Sequence, residues 1–294
     1  MQTACRLLLA GLISGLTCQA QFLTTGIPTV TLSLSGVDGS TPMTLAWHPG
    51  YEQYYGGRGG NSSYGGIVWD ATGAVVQILE PINIDIRSIN YNAVESRLEI
   101  VSYNAAGGTG EYGYKIVTLD EAGLFTGNYS PTGVTLSTLP SGQTAPAFDA
   151  MRNVLYGYDS GNEVRVIDAT NGQLLSTLTL DFTAAGTTFM NTYVIAYAAG
   201  PDALLGFTTT GGNRVVAFSA ATGEFLGSVQ LPGLVSPVTS WGMAYANDQV
   251  FVFDYALDAY RGFTLVPEPG TWALLLSGLG LVCWQVIRRR NRRA

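Results

Sequence analysis

The sequence predicts an all-β domain built from repeated four-stranded units. Two landmarks recur along residues 21–266 at intervals close to fifty residues. One is an aromatic residue followed seven positions later by an apolar residue, and the other is an apolar strand that ends in a turn with glycine. Alternation has period two, as in Val164, Arg165 and Val166, and no window shows a sustained helical stripe. Repeats of this length without helices are typical of β-propeller blades.

The aromatic landmark occurs five times and therefore predicts five blades. The pairs are Trp47 with Tyr54, Tyr91 with Leu98, Phe148 with Leu155, Tyr197 with Leu204, and Tyr245 with Val252. The aromatic residues are 44, 57, 49 and 48 residues apart. Each pair fits a short strand, a turn of about five residues and a second short strand, most clearly over 146–156. We expect these aromatic residues on the innermost strand of each blade.

The glycine landmark follows in the first four repeats, at Gly73, Gly123, Gly172 and Gly223. These glycines are 50, 49 and 51 residues apart, and a further strand follows each one, for example over 173–180. Asp70, Asp120 and Asp168 open three of these turns. We interpret them as turn residues that bind backbone amides two positions on, because repetition around a ring keeps equivalent residues too far apart for a shared metal or catalytic site.

The fifth repeat supplies only three strands, near 242–246, 249–255 and 260–266. An isolated strand over 29–35 lies at the other end of the domain and would complete this blade. Such pairing removes an open sheet edge. We therefore predict a five-bladed β-propeller closed by an N-terminal strand, in preference to a β-sandwich.

The repeats resemble those of NHL and YVTN propellers, whose blades carry an aromatic-Asp-Pro turn and an Asp-x-x-Thr-Gly turn. In this chain His48-Pro49 keeps the proline and Asp149 keeps the acidic residue. The resemblance covers most of residues 21–266 and implies a propeller fold.

Charge is distributed unevenly between the domain and the C-terminal tail. Residues 21–266 contain 20 acidic and 8 basic residues, whereas the tail after Ile287 carries five arginines. An acidic domain repels phosphate backbones, so we expect no nucleic-acid partner. The cysteines Cys5, Cys18 and Cys283 all lie outside residues 21–266, so this domain cannot form a disulfide.

The first twenty residues predict a signal peptide. Arg6 supplies a positive charge, an apolar stretch follows over 7–16, and Cys18-Gln19-Ala20 is a cleavage site after Ala20. An uncleaved anchor is the alternative, but ten apolar residues are too short to span a bilayer of about 30 Å. Lipid attachment at Cys18 is a weaker alternative, because Gly15-Leu16-Thr17 places the leucine and the small residue poorly for a lipoprotein signal.

The C-terminal segment predicts an anchored precursor. Residues 270–287 carry no charge and just reach the length of a membrane helix, which we place at 271–287. The arginines beyond it are expected in the cytoplasm, with the domain outside. They are Arg288, Arg289, Arg290, Arg292 and Arg293.

This segment also resembles the PEP-CTERM sorting signal of Gram-negative bacteria. The order is Val266-Pro267-Glu268-Pro269, then the short apolar span, then the arginine cluster. The resemblance implies that residues 267–294 are the sorting signal, in which exosortase recognises Pro267, Glu268 and Pro269 and removes the hydrophobic tail. It further implies delivery to the cell surface or biofilm matrix alongside exopolysaccharide. A permanent anchor is the alternative.

Several other residues suggest chemistry less strongly. His48 is the sole histidine and occupies the turn position of Asn92 and Asp149, so we interpret it as a turn residue. A calcium site would need oxygen ligands such as those of Asn247, Asp248, Asp254 and Asp258, but their spacing fits no twelve-residue calcium loop. We therefore expect no metal or other cofactor, with calcium kept as an alternative.

Two glycine-rich stretches have different interpretations. Residues 108–113 match the dinucleotide fingerprint, but a strand rather than a helix follows, so the match is false. A loop over 51–66 could instead hold a ligand through its tyrosines, or those tyrosines could pack on blade edges. These residues are Tyr51, Tyr54, Tyr55 and Tyr64.

The preferred functional hypothesis is an exported, non-enzymatic surface or matrix protein, a five-bladed propeller that binds glycan or protein through loops on one face. The alternative is a secreted polysaccharide hydrolase or lactonase. Hydrolysis needs two carboxylates at the axial channel, and the sequence places only Asp149 beside the inner aromatic residues. We therefore predict no catalytic residues. Three or more carboxylates at the channel mouth would favour the hydrolase, whereas aromatic residues and alanines would favour the binding protein.

Overall fold

The computed structural model of the chain describes residues 22, 24–107 and 112–265. These residues form an all-β, five-bladed β-propeller in which each blade is an antiparallel sheet. The predicted signal peptide of residues 1–20, the sorting motif of Val266, Pro267, Glu268 and Pro269, the predicted helix at 271–287 and the arginine cluster lie outside the described residues. Within the described part of the chain, no helix has the length and apolar character needed to cross a membrane.

Each blade has four principal strands, ordered below from the axis outwards. Blade 1 contains Ala46–His48, Gln53–Gly59, Gly66–Asp70 and Val75–Leu79, with the short strand Thr41–Pro42 also paired to Gln53–Gly59. Blade 2 contains Ile86–Asn92, Arg97–Ser102, Tyr114–Leu119 and Phe125–Pro131. Blade 3 contains Ala147–Asp149, Val154–Tyr158, Glu163–Asp168 and Leu174–Thr179. Blade 4 contains Ala196–Ala198, Ala203–Thr208, Arg214–Ser219 and Phe225–Gln230.

Blade 5 combines strands from both ends of the domain. Its inner three strands are Met243–Ala246, Gln249–Asp254 and Ala259–Thr264, and its outermost strand is Ile27–Ser33. The outermost pairing is antiparallel, with Leu32 opposite Tyr260. Leu32 is fully buried and belongs to the largest core cluster. The N-terminal strand thus begins two residues earlier than the sequence suggested and pairs with the third strand of blade 5.

The inner strands surround one axis. Each lies against the inner strand of the next blade, and that of blade 5 lies against that of blade 1. The chain runs in the same direction along the axis in every inner strand, because each blade repeats the same strand order. We call the end of the axis where the inner strands begin the upper end, and the end where they finish the lower end.

Two short helical turns interrupt the strands. A 3₁₀ turn spans Ala105–Gly107 and an α-helical turn spans Phe182–Ala185. Asp181 caps the latter by accepting a hydrogen bond from the Ala184 amide, and Gly186 ends it in the left-handed conformation. A single helical turn is too short to produce the periodic stripe by which a helix is recognised in sequence.

The recurring glycines are required by both backbone conformation and packing between blades. Gly172 has φ 74° and Gly223 has φ 77°, conformations that favour glycine. A Cβ atom on Gly172 would overlap the carbonyl oxygen of Thr135, and one on Gly223 would overlap that of Thr179. Thr135 follows the outermost strand of blade 2, and Thr179 is the last residue of the outermost strand of blade 3. Each glycine thus faces the backbone of the preceding blade. The glycine turn therefore sets how closely successive blades approach.

Gly172→Ala should destabilise the domain far more than Gly133→Ala. Both glycines have positive φ, at 74° and 82°, so both substitutions carry a backbone penalty of about 1–2 kcal/mol. Only Gly172 abuts a neighbouring carbonyl, since no atom lies within 4 Å of a Cβ on Gly133. Overpacking should add about 1–3 kcal/mol at Gly172. Urea denaturation of the two variants measures the difference, and equal losses would contradict the packing role.

Candidate binding channel

The five landmark aromatic residues converge on the axis of the ring. Each lies on the inner strand of its blade and is partly exposed. Together they line one cavity of about 390 Å³. They are Trp47, Tyr91, Phe148, Tyr197 and Tyr245. The sequence prediction that these residues occupy the inner strands is therefore confirmed, and their side chains form a ligand-sized channel.

Small side chains fill much of the remaining channel wall. Alanines at 46, 147, 196, 244 and 246 lie beside the aromatic residues. Among the described residues that line the cavity, Asp248 is the only carboxylate. It is exposed and lies at the lower end, next to the exposed Asn247. The channel therefore offers aromatic faces and few charges, which is the lining expected of the binding protein.

Two of the channel tyrosines remain protonated at physiological pH. Burial raises the pKa of the Tyr245 hydroxyl, and the nearby Asp248 carboxylate raises it further. Burial also raises the pKa of Tyr197, with added contributions from Asp149 and Asp202. Both phenols therefore stay neutral, and each donates its hydrogen to a neighbouring aspartate, Tyr245 to Asp248 and Tyr197 to Asp202. A polar ligand in the channel would meet hydroxyl groups beside aromatic surfaces.

A charged network fixes the position of Tyr197. The Tyr197 hydroxyl donates to Oδ1 of Asp202 at 3.0 Å. Arg152 donates to both carboxylate oxygens of Asp202 at 2.6 Å and to Oδ2 of Asp149 at 3.0 Å. The Arg152 guanidinium accordingly lowers the pKa of Asp202. The sequence did not reveal the roles of Arg152 and Asp202, because they are 50 residues apart and meet only when blades 3 and 4 pack together.

Asp149 serves the turn rather than the channel. Its Oδ1 accepts hydrogen bonds from the amides of Met151 and Arg152, at 3.0 and 3.1 Å. The equivalent Asn92 accepts from Val94 and Glu95, both at 3.1 Å. Both side chains are buried. The turn position after the aromatic residue is thus occupied by side chains that satisfy backbone amides.

His48 has the same role in blade 1, as its place in the repeat suggested. Its Nδ1 accepts a hydrogen bond from the Gly50 amide at 3.2 Å. Its ring centroid lies 4.6 Å from that of Tyr51 and 4.7 Å from that of Tyr91. Burial lowers the pKa of His48, so the ring is neutral at pH 7 and keeps Nδ1 free to accept.

The three recurring aspartates are also turn residues. Oδ1 of Asp70 accepts from Thr72 and Ala74, at 2.8 and 3.0 Å. Asp120 binds the amides two and four positions on in the same way, and Asp168 binds the Thr170 amide at 2.7 Å. These hydrogen bonds lower the pKa of Asp70 and Asp168. The interpretation of these residues as turn residues is confirmed.

The prediction of a tyrosine-bearing loop over 51–66 is wrong for the main part of that stretch. A strand, Gln53–Gly59, occupies it, and Tyr54 and Tyr55 are 1% and 0% exposed. The glycines permit close backbone contact rather than mobility, since a Cβ on Gly57 would lie 2.7 Å from the carbonyl oxygen of Gly65. A surface ligand cannot reach Tyr54 and Tyr55.

The other two tyrosines flank this strand, Tyr51 just before it and Tyr64 in the turn that follows it. Tyr51 is 38% exposed on the lower side, where its ring fills the space beside Gly123, and Tyr64 is partly exposed. The four tyrosines therefore do not form one surface. The packing alternative left open by the sequence describes Tyr54 and Tyr55 better.

The residues considered for calcium do not gather at one place. Asp248 and Asp254 lie at opposite ends of the strand Gln249–Asp254, about 20 Å apart at strand spacing. Asp254 accepts from the amides of Val235 and Ser236 at 2.8 and 2.9 Å, and Asp258 pairs with Arg58. Over the part of the chain that the structure describes, no group of three or more His, Cys, Asp or Glu side chains is placed to hold a metal ion.

The dinucleotide-like stretch is followed by the strand Tyr114–Leu119. Residues 108–111 of that stretch lie outside the described residues. A pyrophosphate site of this kind needs a helix N-terminus directly after the glycines. The strand agrees with the interpretation of this match as false.

Wild-type protein should lose more stability than His48→Asn as the pH falls from 7.5 to 5.5. The folded pKa of His48 is below its unfolded value of about 6.5, so the unfolded chain binds the proton more readily. The contribution of neutral His48 to the free energy of unfolding is present above pH 6.5 and is lost as the pH falls below that value. Asparagine performs the same turn role at Asn92 without titrating. Urea denaturation at both pH values measures this, and parallel losses would contradict it.

Comparison with known proteins identifies the C-terminal segment. Residues 265–293 match the family profile of the PEP-CTERM protein-sorting motif. This confirms the resemblance seen in the sequence and implies an exported protein that exosortase processes.

No curated protein sequence matches the chain. Among solved structures, the chain is similar to one in a nidogen/laminin complex, with a TM-score of 0.41 and 14% identity over 73% of this chain and 72% of that one. It is also similar to a luciferin-regenerating enzyme, with a TM-score of 0.40 and 13% identity over 83% of this chain and 96% of that one.

Proposed function

We propose that this chain is an exported, non-enzymatic surface or matrix protein whose propeller binds glycan chains in the axial channel. The ring of five aromatic side chains around a cavity of about 390 Å³ is the observation that carries this proposal. Ligand sites of a few hundred Å³ with aromatic walls and a few polar groups are typical of small-molecule and oligomer binding.

A saccharide fits the chemistry of the channel wall. One face of a sugar ring is apolar, and aromatic side chains provide a flat apolar surface with a polar hydroxyl at the rim in tyrosine. Tyr197 and Tyr245 add neutral phenols, while Asn90 and Asn247 add amide groups at the wall. A polymer made of such rings could contact several of the five aromatic residues at once.

The carboxylates favour binding over hydrolysis. Glycoside hydrolysis needs an acid and a second carboxylate on either side of the bond. Among the described residues, Asp248 is the only carboxylate that lines the cavity. The nearby Asp149 already accepts hydrogen bonds from two backbone amides and from Arg152. A protein that releases sugar in a reaction dependent on Asp149 or Asp248 would instead be the alternative hydrolase.

The delivery route rests on the motif match at residues 265–293. In this proposal, residues 1–20 direct export and are removed, and residues 21–266 fold as the propeller. Residues 267–294 then hold the precursor in the membrane through the helix at 271–287 until exosortase acts at Pro267, Glu268 and Pro269. The mature protein reaches the cell surface or biofilm matrix of a Gram-negative bacterium, where exopolysaccharide is the expected ligand.

In the same proposal the N-terminal strand closes the ring. The pairing of Ile27–Ser33 with Ala259–Thr264 supports this, because it gives blade 5 the fourth strand that its own repeat lacks. Signal-peptide cleavage after Ala20 would leave this strand intact.

Full-length protein in detergent should be retained by at least one polysaccharide on an array, without releasing reducing sugar and without needing calcium. Tyr91→Leu and Phe148→Leu should each weaken retention about two- to tenfold, since an aromatic contact is worth about 0.5–1.5 kcal/mol beyond its area. Tyr255→Leu, a change at an exposed tyrosine away from the channel, is the control. If Tyr91→Leu and Phe148→Leu were retained as well as wild type and the control, the result would contradict a binding site in the channel.

Pro267→Ala combined with Pro269→Ala should block processing. In a host that contains exosortase, the variant should accumulate as a longer, membrane-bound form, because the extended motif is lost. Pro131→Ala, at an exposed proline of blade 2, is the matched control. Immunoblots of membrane and extracellular fractions measure both. A wild-type chain that is never shortened would indicate a permanent anchor.

Leu32→Asp should prevent stable folding, whereas Thr31→Asp should not. Leu32 is fully buried in the N-terminal strand, and burying an unpaired carboxylate costs several kcal/mol. Thr31 is exposed opposite Arg261, where an aspartate meets a favourable charge. Thermal denaturation distinguishes the two. A stable Leu32→Asp protein would show that the ring does not depend on this strand.

A further inference from the structure

Trp241 lies at the upper end of the axis and touches three other blades. It directly precedes the inner strand of blade 5, and its Nε1 donates to the carbonyl oxygen of Gln143 at 2.8 Å. Its ring stacks on Tyr193, with centroids 4.8 Å apart and planes at 20°. The guanidinium of Arg87 lies 5.9 Å from its ring centroid.

These contacts place the indole across the axis. Arg87 belongs to the inner strand of blade 2, and Gln143 and Tyr193 lead into the inner strands of blades 3 and 4. Blade 5 is adjacent to blades 4 and 1 in the ring, and blades 2 and 3 lie on the far side. A side chain from blade 5 that reaches both of them must cross the axis.

The local backbone is held in an unusual conformation. Trp241 has φ 52° and Tyr193 has φ 67°, values that are rare for bulky residues and carry backbone strain. Neighbouring hydrogen bonds hold Trp241 there. Its amide donates to the carbonyl of Thr192 at 3.0 Å, and Asn191 Nδ2 donates to its carbonyl at 3.2 Å. A stacked pair that is maintained against this strain indicates a fixed position.

Arg87 contacts the indole from the inner strand of blade 2. It is 4% exposed and pairs with Asp85 at 2.6 Å, and its guanidinium also lies 5.0 Å from the Tyr103 ring centroid. Its Nε is the one buried side-chain nitrogen or oxygen atom in the described part of the chain without a hydrogen-bond partner. The guanidinium thus lies within 5.9 Å of the centroids of both the Trp241 and the Tyr103 rings, distances that favour cation–π contact.

The channel changes character between its two ends. Its lining near the upper end consists of buried residues such as Thr44, Ile89 and Met243. At the lower end it includes the exposed Pro49, Asn247 and Asp248. Trp241 does not line the cavity, although it crosses the axis. The exposed residues open the cavity at the lower face, and the indole lies across the axis above its buried end.

We infer that Trp241 closes the upper end of the channel, so that the propeller binds the ends of saccharide chains and not their interiors. This inference rests on the proposed glycan-binding function and specifies its ligand. A polymer cannot thread through an axis that the indole crosses. A chain can enter only from the lower face, with its terminal residue stacked among Trp47, Tyr91, Phe148, Tyr197 and Tyr245.

The test compares long and short chains of one polysaccharide. The probe is the polymer that the full-length protein retains best, before and after partial acid hydrolysis that shortens it about tenfold. If only chain ends bind, the inhibiting mass of the shortened sample should fall about tenfold, because the concentration of ends rises by that factor. Equal inhibition per unit mass would overturn the inference while leaving glycan binding in place. Absence of retention on every polymer would overturn the proposed function itself.

Variants at Trp241 give a second readout. Trp241→Ala removes the ring that crosses the axis, so the tenfold preference for short chains should fall to less than about twofold as interiors gain access. Trp241→Phe keeps a ring at this position and should retain the preference. Tyr255→Ala, at an exposed tyrosine that does not contact Trp241, is the control and should behave as wild type. A full preference in a folded Trp241→Ala protein would contradict the role of the indole.

Discussion

The meeting of five inner strands around one axis is the constraint on which the rest of this structure depends. In most blades these strands are only three or four residues long, so each can direct few side chains inwards. The chain uses that position in every blade for an aromatic residue, and the residue after it, when polar, binds the amides of the following turn. The same two positions therefore line the axial channel and hold the blade together. A change at Phe148 should therefore alter ligand binding, whereas a change at Asp149 should lower the stability of the fold.

Contacts between blades impose a second constraint at a greater radius. Gly172 and Gly223 allow a turn of one blade to approach the backbone of the preceding blade. Across the blade 3 and blade 4 boundary, the ion pair of Arg152 with Asp202 adds a polar contact that also orients Tyr197. The geometry of the channel thus depends on contacts outside it. Most of the apolar core is likewise shared between adjacent blades, with the largest cluster joining residues of blades 1, 4 and 5.

Much of the fold could be predicted from the sequence because a repeat reports the same structure several times. The aromatic and glycine positions and the missing strand of blade 5 all followed from alignment of the repeats. The sequence does not decide whether Tyr54 and Tyr55 bind a ligand or pack, because glycines at 56, 57 and 59 are typical of a flexible loop, whereas in the structure they allow tight backbone contact. Trp241 and Arg152 carried no repeat signal at all. Their roles depend on which blades face each other, and that is a property of the completed ring.

A crystal structure of the full-length protein with a bound oligosaccharide would test the central claim most directly. We predict electron density for a sugar chain in the axial channel, entering from the lower face, with its terminal ring among the five aromatic side chains and below Trp241. Density on the outer strands or on the upper loops, with an empty channel, would contradict this model of binding.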